Sequence, residues 1–179
     1  MRTLLSLFLL FILLAGCKNN KEDLLDIAEL AKLYEPNLFD INYTVGNCAL
    51  RLPCNHSAFE YIRGNDENTI FAICGENNYF RFNFSIHEVP EEKRDIENKY
   101  IEDYYMNKKL SYKVVKFKGY RAYLVEYETE GLININRAKE LTILNKNKFY
   151  ILTMYTSGYD HDLTGAFYKF INGFRFIEW

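Results

Sequence analysis

The chain lacks an excess of charge of either sign: its 179 residues include 24 acidic and 22 basic ones, and its formal net charge is −2. A protein that neutralises many phosphates usually carries a basic surplus, so we expect no nucleic-acid partner. A glycine-rich phosphate loop, a Gly-x-Ser-x-Gly elbow and a His-Glu-x-x-His motif are also missing, which argues against three large enzyme classes. With 49% hydrophobic residues and no repeat or low-complexity stretch, the composition is typical of one globular domain.

No apolar run is long enough to span a bilayer, which takes about 20 residues. The run Leu4–Leu14 is apolar except for one serine, and it follows Met1-Arg2-Thr3. A basic start, a short apolar core and a small-residue exit are typical of a secretory signal. The exit, Leu14-Ala15-Gly16-Cys17, resembles the bacterial lipobox, in which the cysteine is acylated and becomes the new amino terminus. We therefore predict a signal peptide at 1–16, a lipidated cysteine and short tether at 17–21, and a single domain at 22–179.

The lipobox resemblance implies that a membrane is the first partner of the protein. Each buried methylene of an acyl chain contributes about 0.8 kcal/mol, so the several chains of a mature lipoprotein anchor it stably. Lys18 follows the cysteine, whereas the pattern for retention in the inner membrane has aspartate there. The resemblance thus implies the cell envelope, lipid-anchored to the outer membrane on its periplasmic or surface face.

Periodic patterns predict alternating helices and strands along the rest of the chain. Phe80, Phe82, Phe84 and Ile86 alternate with polar residues, which indicates a strand with one buried face. Helical spacing of apolar residues predicts helices at 22–34, 91–109 and 162–172. Further β-type runs are predicted at 48–52, 58–63, 69–74, 112–117, 120–128, 138–144 and 148–156, with hairpin turns at Lys118-Gly119 and Asn145-Lys146-Asn147. This pattern favours an α+β fold in which helices cover an antiparallel β-sheet.

The order of these elements resembles the PsbP-like family of α/β/α sandwich domains over about 50–176. The most specific pieces are the hairpin Lys118-Gly119-Tyr120-Arg121-Ala122-Tyr123 and the closing Phe174-Arg175-Phe176. The family includes photosystem extrinsic subunits and bacterial envelope lipoproteins, and most members are binding modules. The resemblance therefore implies a non-catalytic protein-binding domain of accessory or immunity type, with an envelope or secreted protein as partner and no cofactor.

Three cysteines remain besides the lipidated one: Cys48, Cys54 and Cys74. An exported domain meets an oxidising compartment, so we expect one disulfide and one odd thiol. We favour Cys54 with Cys74, because that bridge closes more chain than the alternative of Cys48 with Cys54. A rival hypothesis is an envelope hydrolase or thiol enzyme that uses Cys54, His56 and Cys74, but residues two apart do not form a dyad. Zinc-ligand spacing is also absent, so we predict no catalytic residue and no metal.

The chain is rich in tyrosine and phenylalanine, with 15 and 14 residues. Exposed tyrosines are good anchors at protein interfaces. We predict an interface formed by tyrosines of the second helix and of the strand after the hairpin: Tyr100, Tyr104, Tyr105, Tyr123 and Tyr127. A structural or glycan-binding lipoprotein that uses these rings is a third hypothesis.

Overall fold

The computed structural model describes residues 24–34, 41–52, 59–63, 68–74, 80–130, 135–157 and 162–177. The predicted signal peptide, Cys17 and tether lie outside the described residues. Within them, every helix is too short or too polar to traverse a bilayer. The helices are α1 (Ile27–Ala31), a 3₁₀ helix (Glu91–Ile96), α2 (Glu97–Asn107) and α3 (Leu163–Asn172). The strands are β1 (Ile41–Val45), β2 (Cys48–Leu52), β3 (Phe59–Arg63), β4 (Thr69–Cys74), β5 (Phe80–Glu88), β6 (Tyr112–Phe117), β7 (Tyr120–Glu130), β8 (Ile135–Asn145), β9 (Lys148–Ser157) and β10 (Arg175–Phe176).

Seven strands form one antiparallel sheet in the order β3-β4-β5-β9-β8-β7-β6. The two tight hairpins whose turns the structure describes are the ones that the sequence predicts. Lys118 and Gly119 join β6 to β7 with φ of 49° and 89°, and Lys146 and Asn147 join β8 to β9 with φ of 50° and 60°. Two central residues with positive φ give the type I′ geometry, whose twist matches that of the flanking strands.

One face of this sheet is covered by α1, α3 and a second, three-stranded sheet in the order β1-β2-β10. The alternating phenylalanines of β5 point into this layer, where Phe82 lies edge-on to Phe170 with ring centroids 5.0 Å apart. The turn after α1 contacts α3 through Tyr34 and Tyr168, whose stacked rings are 5.4 Å apart. The core of this side is formed by buried side chains of both layers: Ile27, Leu50, Leu52, Phe82, Phe84, Phe117, Leu141, Leu152, Phe167, Phe170 and Phe174.

The opposite face of the seven-stranded sheet is covered by α2. Ile101 and Tyr105, four residues apart and so on one face of the helix, pack on Val125 and Phe149 of the sheet. The molecule therefore has helices on both faces of an antiparallel sheet, and the predicted α+β sandwich is confirmed.

The structure differs from the predicted elements at the front of the chain. Of the helix predicted at 22–34, the described residues 24–34 are α-helical over Ile27–Ala31. It begins there because the preceding chain runs beside β6, where Lys116 N donates to Leu25 O (2.9 Å), and because Asp26 Oδ1 caps the helix by accepting from Ala28 N (3.0 Å). The predicted run at 48–52 is a strand, but the strands form two sheets where the sequence predicted one, and β2 lies in the small sheet with β1 and β10 as its neighbours.

Candidate functional site

A cleft opens beside the C-terminal half of α2, on the face of the large sheet opposite to α1 and α3. Its volume is about 310 Å³. We call it the tyrosine cleft. It is lined by Tyr104, Tyr105, Lys108 and Leu110 from α2 and the turn after it, by Tyr127, Glu128 and Thr129 from β7, and by Glu140 from β8.

Glu140 lies at the floor of the tyrosine cleft, half-buried on a central strand of the sheet. Tyr105 Oη donates to Glu140 Oε1 (2.6 Å), and Thr153 Oγ1 donates to Glu140 Oε2 (3.2 Å). None of the ion pairs between described residues includes Glu140. The carboxylate is therefore held by neutral hydroxyl donors alone within the described part of the chain.

The tyrosines around this carboxylate stay protonated. Burial, and after it the negative charge of Glu140, raise the pKa of Tyr105 far above that of a free phenol. Burial first, then the hydrogen bond to Tyr155, raise the pKa of Tyr127 in the same way. Both hydroxyls are consequently donors at any physiological pH and are unsuited to act as bases.

Tyr123 joins α2 to the sheet at the other end of the helix. Its hydroxyl donates to Asn98 Oδ1 (3.1 Å) and to Glu102 Oε1 (3.3 Å). Arg121 on the same strand also reaches Glu102, with Nη2 at 3.5 Å from Oε1. These bonds fix the position of α2, and through it the shape of the tyrosine cleft.

The five tyrosines predicted as interface anchors divide into two groups. Tyr105 and Tyr123 are 1% and 0% exposed, so the prediction of an exposed position is wrong for them. They face the interior because α2 covers the strand face from which Tyr123 projects, and Tyr105 lies on the covered side of the helix. Tyr104 is 41% exposed, and Tyr127 and Tyr100 are half-buried. Whether these three contact a partner stays a prediction.

Tyr104 and Tyr127 both line the tyrosine cleft, whereas Tyr100 lies on the other side of α2. Its ring stacks on Phe149 with centroids 5.7 Å apart. There it lines a second cavity of about 260 Å³, with His87 and Glu88 at its edge.

Sequence reasoning missed Glu140 and its hydroxyl neighbours. The signal was present in the predicted strand at 138–144, where Ala138, Glu140, Thr142 and Leu144 alternate along one face. A carboxylate in the middle of such a row becomes informative only when that face is known to be covered, and the sequence alone does not show where α2 lies.

The structure describes only some of the residues on which the cysteine predictions depend. Cys48 is a free, fully buried thiol, and burial raises its pKa to about 12. A nucleophilic cysteine needs the opposite shift. Cys54 and His56 lie outside the described residues, as does the side chain of Cys74, so the favoured pairing of Cys54 with Cys74 stays a prediction. Among the described residues, no three His, Cys, Asp or Glu side chains lie close enough together to hold a metal ion.

Solved structures of other proteins are similar to the fold of this chain, although no protein-family model and no curated protein sequence matches it. A crystal structure from Bacteroides thetaiotaomicron VPI-5482 is similar with a TM-score of 0.55 at 9% identity, over 78% of this chain and 48% of that one. This chain thus spans about half the length of the Bacteroides protein.

The cyanobacterial PsbP (CyanoP) from Synechocystis sp. PCC 6803 is similar with a TM-score of 0.53 at 12% identity, over 78% of this chain and 94% of that one. Identities this low show a shared fold and nothing about activity. The antiparallel sheet between helical layers is therefore a PsbP-like α+β fold, as the hairpin and the closing segment of the sequence predicted.

Proposed function

We propose that the chain is a lipid-anchored lipoprotein of the bacterial cell envelope, whose PsbP-like domain binds another protein and performs no chemistry of its own. The observation that carries this proposal is the tyrosine cleft. It combines an exposed tyrosine, a half-buried tyrosine and a carboxylate on a framework of helix and sheet. Rigid aromatic side chains around a polar group are typical of the centre of a protein interface.

The groups near the cleft are poorly suited to catalysis. The hydroxyls of Tyr105 and Tyr127 have raised pKa values, which removes them as bases or nucleophiles. His87 Nε2 lies 2.9 Å from Ser85 Oγ, but Ser85 is buried, and among the described residues no carboxylate is bonded to the histidine ring. A serine nucleophile needs both access to substrate and an oriented base.

The position of the cleft suits a protein held at a membrane. Leu24, the first described residue, comes seven residues after Cys17, so the connecting chain reaches at most about 25 Å. The described chain runs beside β6 at Leu25 and continues into α1, which lies on the sheet face opposite to α2. In our proposal the side of α1 faces the anchored layer, so that the tyrosine cleft is accessible to a protein in the same compartment.

Photocrosslinking in intact cells tests this function. We would replace Tyr104 with a benzophenone amino acid, irradiate the cells and identify adducts by mass spectrometry. The matched control carries the same group at Lys32, which is exposed on α1 at the opposite face. We expect one recurring protein adduct from position 104 that is missing from position 32. Equal adduct patterns from both positions, or none from either, would contradict a protein-binding cleft.

A further inference from the structure

The carboxylate of Glu140 is the unusual feature of the tyrosine cleft. A half-buried carboxylate loses part of its hydration, and a nearby cation is the usual compensation. Another half-buried carboxylate follows this rule: Glu102 Oε1 lies 3.5 Å from Arg121 Nη2. Within the described residues Glu140 receives hydroxyl donors and no cation. No cation in the described part of the chain is therefore paired with its charge.

We propose that the tyrosine cleft receives an arginine side chain of the partner protein, whose guanidinium group pairs with the carboxylate of Glu140. This inference rests on the proposed function and names the chemistry of the partner. It makes Glu140 and Tyr104 the residues that determine which protein is recognised.

The hydrogen bonds of Glu140 leave one acceptor position on each carboxylate oxygen, as a bidentate (two-pronged) contact requires. Oε1 accepts one bond, from Tyr105, and Oε2 accepts one bond, from Thr153. A carboxylate oxygen has two lone pairs, so each oxygen retains one acceptor position. A guanidinium group donates two parallel N–H bonds with the spacing of a carboxylate, which a lysine ammonium does not. The two existing donors also hold the carboxylate plane in a fixed orientation before the partner arrives.

The wall of the cleft is able to receive a cation. Lys108 Nζ lies 4.3 Å from the centroid of the Tyr104 ring and donates to the Tyr104 hydroxyl. A positive charge thus lies within the range of a cation–π contact with this ring, and a planar guanidinium group stacks on a ring face better than an ammonium does. Tyr104 is 41% exposed, so part of the ring remains available.

The charges that face the cleft favour a cationic occupant. Glu140 from β8 carries a negative charge on this face of the sheet, whereas Glu128 shares the face of Glu126 and its side chain points away from the cleft. Lys108 carries a positive charge among the described lining residues, and its ammonium is bonded to the Tyr104 hydroxyl and not to Glu140. The volume of about 310 Å³ is also many times the roughly 10–15 Å³ that one water molecule needs. The cleft therefore has both the charge and the room for a basic side chain.

An NMR titration of the purified mature domain with N-acetyl-arginine amide tests the proposal directly. We expect the amide signals of Glu140, Tyr105 and Tyr127 to shift, and the dissociation constant to rise about tenfold or more in Glu140→Gln. Glutamine keeps the shape of glutamate: its oxygen accepts from one of the two hydroxyls, and its NH2 group donates to the other hydroxyl, which turns to accept. The control, Glu128→Gln, removes an exposed charge on the other face of β7 and should weaken binding by less than about threefold.

A further variant and two further cationic probes test whether the contact is specific for arginine. Lys108→Met removes the one lining cation and should strengthen binding of the arginine probe. N-acetyl-lysine methylamide and tetramethylammonium should bind more weakly than the arginine probe, because neither forms the two-pronged contact. Equal binding of all three cations, shifts located elsewhere, or unchanged binding by Glu140→Gln with an intact unfolding transition would overturn the proposal.

Crosslinking separates this proposal from the proposed function. The benzophenone at position 104 is combined with Glu140→Gln in intact cells. If the same adduct forms with undiminished yield, protein binding stands and the arginine contact is wrong. If the benzophenone variant that keeps Glu140 gives no adduct at all, the proposed function itself is wrong. Loss of the adduct upon Glu140→Gln alone supports both.

Discussion

Tyr104 and Tyr105 are neighbours in the chain, yet their hydroxyl groups have opposite surroundings. The hydroxyl of Tyr105 lies 2.6 Å from both Glu140 Oε1 and Thr142 Oγ1 in a buried setting. That of Tyr104 contacts only Lys108 at the surface among the described residues. Successive helical residues are about 100° apart, so one side chain faces the sheet and the other faces the cleft and solvent. The sequence predicts the helix, but not which of these two tyrosines faces inward.

Removing each hydroxyl in turn measures this difference. Tyr105→Phe leaves Glu140 and Thr142 short of a hydrogen-bond partner, so we expect the free energy of unfolding to fall by about 1–2 kcal/mol. Tyr104→Phe loses a surface contact and should change the free energy of unfolding by less than about 0.5 kcal/mol. Urea unfolding of the mature domain, with the two variants side by side, gives both values. Similar losses of unfolding free energy in the two variants would mean that the buried hydroxyl contributes no more to stability than the exposed one.

The buried thiol of Cys48 predicts a pH dependence of stability. Burial raises its pKa from 9.0 to about 12. Below pH 9 the thiol is protonated in both the folded and the unfolded chain, so its contribution is fully present. As the pH rises from 9 towards 12, the unfolded thiol loses its proton while the folded one keeps it, so stability falls. The slope from one group reaches about 1.4 kcal/mol per pH unit at most.

A variant without the thiol tests this dependence. Between about pH 8 and 10, the free energy of unfolding should fall less steeply in Cys48→Ala than in the unsubstituted protein. The comparison is of slopes, because the loss of the sulfur atom itself lowers stability at every pH. Parallel curves in this interval would show that the thiol titrates alike in both states.

At the scale of elements, the close approach of α3 to the small sheet depends on Gly173. A Cβ at this position would lie 2.6 Å from both the Cβ and the backbone oxygen of Arg51 on β2. The φ of Gly173 is −71°, a value open to any residue, so the need for glycine is steric and not conformational. The helix end and β2 touch through their backbones.

Enlarging this residue should separate the two elements. We expect Gly173→Ala to lower the free energy of unfolding by about 1–3 kcal/mol, the usual cost of overpacking. Lys169→Ala on the same helix lacks the backbone clash and is the control. Circular dichroism during thermal unfolding measures both. A Gly173→Ala domain as stable as the control would mean that β2 adjusts freely.

Elements with local signals were predictable, and elements defined by distant pairing were not. The alternation in β5 and the two I′ hairpins are visible within a few residues. The helix start at Asp162, whose Oδ1 accepts from Gly165 N (2.8 Å), follows from capping preferences. The small sheet escaped prediction because β2 pairs with Arg175 and Phe176, at the other end of the chain. No short stretch of sequence contains that information.

At the scale of the whole molecule, the layering followed from the sequence and the tyrosine cleft did not. Three helical patterns separated by strand runs leave few alternatives to helices covering an antiparallel sheet. The cleft depends on where α2 crosses the sheet. That position is determined by side-chain packing and by the bonds from Tyr123 to Asn98 and Glu102, between residues that local periodicity does not relate.

The lipid anchor and the folded domain should be separable, since Cys17 precedes the first described residue by a stretch that α1 does not need for its cap. We expect Cys17→Ser to lose labelling by a palmitate analogue and to leave the membrane pellet, because the variant lacks the thiol that would carry the acyl chain. Its unfolding transition should match that of the lipidated protein solubilised in detergent. Cys48→Ala is the control and should keep both the label and the membrane fraction. Label retained on Cys17→Ser, or a variant still in the pellet after an alkaline wash, would contradict anchoring through this cysteine.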